Sequence, residues 1–266
     1  MAIANSLAFL LYLSASAILI RNFVQRSEKS SNSLPAGILI VLALIFHGSD
    51  IFFTMQLAGG WDLSLFTTVS IAAWLMAFIA FIVGVKTPNN YLGMAVYPLV
   101  ALSLIFKISV PSSHATALVN PALEWHILLS LAAYSLFTLA AVQAIVLAIQ
   151  EQQLRQRHIA GLMRKLPPLQ TMETGLFQLI IAGFILLSAG LLTGVLFVDN
   201  IFAQHIAHKT ILSLVAWCVF ATLLWGHWRY GWRGKTAIKW TLVGFTLLVL
   251  AFLGSKFVLE FILGTS

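Results

Sequence analysis

Three histidines and a few charges sit where this sequence is otherwise apolar. His47 and Asp50 lie three residues apart in one apolar run, His126 opens a second, and His227 closes a third. An ionisable side chain among about 20 apolar residues is costly to keep, and by default it reads as functional. Residues three apart share a helical face. His47 and Asp50 could therefore form an imidazole with a nearby orienting carboxylate, suited to ligating a metal or carrying a proton. A polar pair holding neighbouring helices together has the same spacing. His205 and His208 form an HxxH pair on one helical face, and His114 lies in the PSSHAT loop. Imidazoles gathered on one rim could form a bis-imidazole site for haem iron or a soft-metal site. Lys107, Glu124, Lys256 and Glu260 are further charged candidates in or beside apolar runs.

The elements that must position these groups follow from composition. Of 266 residues 60% are apolar and only 9% are charged, against about 25% charged in ordinary soluble chains. Eight apolar runs stand out, at 4–20, 35–57, 65–85, 91–109, 124–149, 175–198, 208–228 and 240–263. Backbone groups in hydrocarbon need internal partners, and no run alternates as a barrel strand would. The fold class is thus all-α, a polytopic membrane helix bundle of about eight spans, forming one integral membrane domain over 1–266. The first run lacks a basic n-region and a cleavage site, so it reads as a retained span. The helix at 124–149 is expected to extend beyond the membrane until Pro167 and Pro168 stop it.

Charge gives orientation. Of the 15 Lys and Arg residues, 12 fall in the odd-numbered gaps; the exceptions are Lys107, Lys209 and Lys256. Basic residues gather on the cytoplasmic side, which places odd gaps inside and both termini outside. The +7 net charge then follows from topology, and no nucleic acid partner is expected. In this frame His114, His126, His205 and His208 fall at the outer rim, with His158 and His227 at the inner side. His47 lies about 18 Å from the inner end of its span, at 1.5 Å per residue. His47 and His227 therefore differ too much in depth to share one iron. Trp61, Trp125, Trp225, Trp228, Trp232 and Trp240 cluster at span ends, as an interfacial aromatic belt does; stacking on a macrocycle is the functional alternative.

Three segments carry a family resemblance: LEWHILLSLAAYSLFTLAAVQAIVLAIQEQQL, LPPLQTMETGLFQLIIAGFILLSAGLLTGVLF and KTILSLVAWCVFATLLWGHWRYGWRG. In this order they resemble the cytochrome c assembly (CcsA/CcmC-like) membrane proteins, with the short YpjD-like inner-membrane branch matching in length. The resemblance implies haem binding or haem movement in the bacterial inner membrane, alongside other cytochrome c assembly membrane proteins. It implies His126 as an outer haem ligand, His227 as a second family histidine and His47 as an upstream one. The chain departs from the pattern near Phe197–Lys209, where FVDNIFAQHIAHK stands in place of a tryptophan-rich motif. It departs again in LGSKFVLEFILG, which lacks the family's second outer histidine. His205 or His208 could take that histidine's place beside His126.

The function expected is haem binding or handling related to cytochrome c biogenesis, by binding rather than turnover, so no enzyme is expected. A scaffold or regulatory subunit without haem is the alternative. A small transporter using Lys107, Glu124 and Glu260 comes third, because no pair of Gly- or Pro-broken spans occupies matching positions. No GxSxG, HExxH or phosphate loop points to hydrolysis.

Overall fold

The apolar runs are helices in the computed structural model. It describes residues 2–25, 34–62, 64–86, 90–109, 115–116, 121–156, 165–197 and 204–254. His114, His158, Lys256 and Glu260 lie outside the described residues. In chain order the elements are α1 (Ala2–Val24), α2 (Leu34–Ala58), β1 (Trp61–Asp62), α3 (Leu65–Lys86), α4 (Tyr91–Ser109), β2 (Ala115–Thr116), α5 (Pro121–Arg155), α6 (Leu169–Phe197), α7 (Gln204–Tyr230) and α8 (Gly234–Val249). Seven of these helices are long and apolar enough to cross a bilayer core; Tyr91–Lys107 is a shorter apolar helix. The fold is an all-α polytopic membrane bundle.

Helix ends differ from the apolar runs in a consistent direction. α6 starts at Leu169 and α8 at Gly234, six residues before the hydropathy of each segment rises. Hydropathy marks where hydrocarbon begins, whereas the backbone becomes helical as soon as a turn can be capped. α5 stops at Arg155, and the two prolines stand just before α6, where a missing N–H costs nothing. α8 passes into a π-helical turn at Leu250–Gly254. The gaps between α2 and α3 and between α4 and α5 hold a feature no hydropathy reading shows. Trp61 pairs with Thr116 and Asp62 with Ala115 in a two-residue antiparallel ribbon.

Two compact units make up the chain. In the first, α1 packs on α2 and α4, and α3 packs on α4 and α2. Its core holds Tyr12, Ile40, Tyr97 and Leu104, all fully buried. α4 contains Pro98, which has no N–H to offer the carbonyl of Met94. Ser16 of α1 donates its hydroxyl to that carbonyl at 3.1 Å. A proline that would leave an orphan acceptor is thus satisfied by a neighbouring helix, as the bilayer requires. Trp74 similarly donates its indole N–H to the Leu44 carbonyl at 2.9 Å, joining α3 to α2.

In the second unit α5 lies along α6, and α8 packs on α5 and α7. Phe137 and Phe220 stack at its centre with ring centroids 3.9 Å apart. Gln143 of α5 donates its side-chain N–H to the Met172 carbonyl of α6 at 3.0 Å.

Candidate functional site

His126 sits in the first turns of α5, beside α6. Its Nδ1 lies 2.8 Å from the Gly190 carbonyl and 3.3 Å from Thr193 Oγ1. Thr193 donates its own hydroxyl to the Ala189 and Gly190 carbonyls, so it offers His126 only a lone pair. Both neighbours of Nδ1 are therefore acceptors, and Nδ1 carries the ring proton. That leaves Nε2 with the lone pair, the atom that ligates a metal. Among the described residues Nε2 has no hydrogen-bond partner. Gly194 completes the setting: a Cβ there would stand 2.9 Å from His126 Cε1. Only glycine leaves the ring this much room.

His227 is held in a similar way at the end of α7. Its Nδ1 donates to the Trp232 carbonyl at 2.8 Å, and its ring stacks on Phe177 of α6 at 3.5 Å between centroids. Trp232 stacks in turn on Trp240. The two histidines lie far apart. His126 meets α6 at Gly190 and His227 meets it at Phe177, a separation of about 20 Å at 1.5 Å per residue. They cannot ligate one iron together. His205 and His208 fall in the first turns of α7, and their side chains lie outside the described residues.

In the first unit His47 is fully buried. Its Nε2 lies 2.9 Å from Ser70 Oγ, and its Nδ1 faces the Tyr12 hydroxyl at 3.5 Å. Hydroxyls donate or accept as the tautomer demands, so both ring nitrogens are engaged. Tyr12 stacks on Tyr97, which extends the cluster across α1, α2, α3 and α4. Asp50 does not orient His47. It pairs with Lys107 of α4 at 2.6 Å, and Lys107 also donates to Thr54 Oγ1 at 3.1 Å. The separation of Lys107 from Asp50 by 57 positions hid that pair from a reading of local spacing. Asp62 is buried too and accepts from Thr67 Oγ1 at 2.8 Å and from the Ser64 N–H at 3.0 Å.

The cytochrome C assembly protein family matches over residues 3–263. This chain belongs to that family. The inner membrane protein YpjD of Escherichia coli K12 is 32% identical over 230 residues, 85% of this chain and 87% of its own length. An uncharacterised 28.8 kDa protein of Azospirillum brasilense is 32% identical over 238 residues, 84% of this chain and 85% of its own. Protein HemX of Brevibacillus brevis is 22% identical over 261 residues, 93% of each chain. No solved structure matches. With its apolar helices, this family membership makes the chain a multi-pass protein of the bacterial inner membrane, related to cytochrome c biogenesis.

Sequence spacing pointed to His126 but missed the groups that tie down its ring. Gly190, Thr193 and Gly194 form a GLLTG segment of α6, and small residues at helical spacing are a signal of close helix approach. That signal was present in the sequence, without any indication of which side chain would fill the gap.

Proposed function

We propose that this protein binds haem in the inner membrane as an accessory of cytochrome c assembly, without catalytic turnover, with His126 as the protein ligand to iron. One observation carries the reading: Nδ1 of His126 is committed to the Gly190 carbonyl, which leaves Nε2 as a ligand-ready nitrogen. A backbone or carboxylate acceptor on the remote ring nitrogen is the usual companion of a metal-ligating histidine, because it fixes tautomer and ring plane. The donor set thus suits haem iron, for which an imidazole is a common protein ligand. Bound there, haem would supply an iron centre to be held or passed on; this chain's share is to present one imidazole and exclude the wrong tautomer. His205 and His208, at the start of the next helix, would be the candidates for a second imidazole. His227, similarly tied by Nδ1, is a second ligand-ready imidazole about 20 Å away along α6. The family membership and the inner-membrane relative support this setting. The distribution of basic residues supports both termini lying outside.

A visible spectrum of the detergent-purified full-length chain, titrated with haem, tests the reading. A Soret band shifted from that of free haem, and lost in His126→Ala, is expected. A spectrum that never departs from free haem would overturn it and favour the haem-free scaffold.

A further inference from the structure

At the end of the second unit that carries Trp232 and Trp240, α5, α6 and the start of α8 enclose an open cleft of about 600 Å³. Its lining carries charges of both signs, Glu151 from α5, Glu173 from α6, and Arg233 and Lys235 at the start of α8, together with Leu147 and Leu169. These charges do not neutralise one another. No ion pair within 4 Å joins any two of them. Glu173 is engaged, accepting the Gly234 N–H at 2.6 Å where α8 begins. Gly234 has φ +54 and brings the backbone up to both carboxylates. Glu151, Arg233 and Lys235 have no hydrogen-bond or ion-pair partner among the described residues. A cleft large enough for a small ligand is therefore lined by one uncommitted carboxylate and two uncommitted cations.

The cleft lies at headgroup depth. The apolar stretch of α5 gives way to Gln150, Glu151, Gln152 and Gln153 here, and Trp225, Trp228 and Tyr230 stand exposed at the neighbouring end of α7. Exposed aromatics with basic residues mark the bilayer interface. A plain anion would meet Arg233 and Lys235 but also the unpaired Glu151, and juxtaposing like charge selects against a partner. A group carrying a phosphate and an ammonium a few bonds apart satisfies both walls. We propose that this cleft binds the headgroup of a phospholipid of the phosphatidylethanolamine class, with Arg233 and Lys235 on the phosphate and Glu151 on the ammonium. This assignment is independent of haem.

The test is native mass spectrometry of the full-length chain in detergent, with phosphatidylethanolamine or phosphatidylglycerol of matched acyl chains. The wild type is expected to retain the ethanolamine lipid about fivefold better, the upper range for one solvent-exposed ion pair. Glu151→Gln, close to isosteric, brings that ratio near one, while Arg233→Gln lowers retention of both lipids and leaves the ratio. Equal retention of the two lipids by the wild type would overturn the proposal, as would an unchanged ratio in Glu151→Gln. Soluble phosphoethanolamine displacing the lipid at equal concentration would overturn the lipid as the source of the headgroup.

Discussion

Ser16 of α1 holds the Met94 carbonyl that Pro98 leaves without its own helical partner. The proline is thereby tolerated in a helix that packs directly on α1. Ser16 is almost wholly buried, so its loss leaves an acceptor with neither water nor protein to bond. Ser16→Ala is expected to destabilise the first unit by about 1–3 kcal/mol, the cost of an unsatisfied buried polar group. Pro98→Ala restores an N–H to the Met94 carbonyl. The double variant Ser16→Ala/Pro98→Ala should then recover most of the loss in thermal melts in detergent. Additive losses in that cycle would refute the coupling.

Asp50 and Lys107 lead to a second double cycle. Their side chains are only 3% and 11% exposed, so removing one partner strands a charge in a dry interior. Lys107→Met is expected to cost about 3 kcal/mol or more, in the range for a broken buried pair. Asp50→Leu/Lys107→Met should lie close to the wild type, because two well-packed apolar groups replace the pair at little net cost. Denaturation midpoints of the four proteins decide it. A double variant worse than Lys107→Met would show that the pair is not the reason for the loss.

These two relationships show where the sequence was legible. Hydropathy located the helices, since a bilayer-spanning backbone has few ways to satisfy itself. It also singled out His126, His47 and Asp50 as costly residues needing an explanation. It could not give their partners, because those are set by interhelical packing across long separations: Lys107 for Asp50, Gly190 for His126, Ser70 and Tyr12 for His47. The three-residue spacing of His47 and Asp50 suggested a pair, yet each turns to a different neighbour. A shared helical face allows contact between two side chains, and the better partner on the next helix decides whether it forms.

His126 and Gly194 supply a direct check on the ligand-ready tautomer. Nitrogen NMR of selectively labelled full-length protein, without haem, should show His126 as the Nδ1–H tautomer, with Nε2 resonating as the unprotonated nitrogen. Gly194→Val places methyl groups where a Cβ alone would already stand 2.9 Å from the ring. The ring must then leave Gly190, and both the tautomer signature and any shifted Soret band should be lost together. Retention of the Nδ1–H signature in Gly194→Val would show that α6 does not set the ring's position.

His47 separates a structural histidine from a ligating one. Both its nitrogens already meet hydroxyls, so its removal should be felt in stability and not in iron ligation. His47→Ala creates a cavity and leaves Ser70 and Tyr12 without their shared partner, at an expected cost of about 2–4 kcal/mol. His47→Gln keeps a donor and an acceptor at similar reach and should cost less. Melting temperatures of the two variants give that order. Haem spectra of His47→Gln should match the wild type while those of His126→Gln do not. A Soret change of equal size in both would move the ligand role to the first unit, because only a displaced hydroxyl could free a nitrogen of His47 for iron.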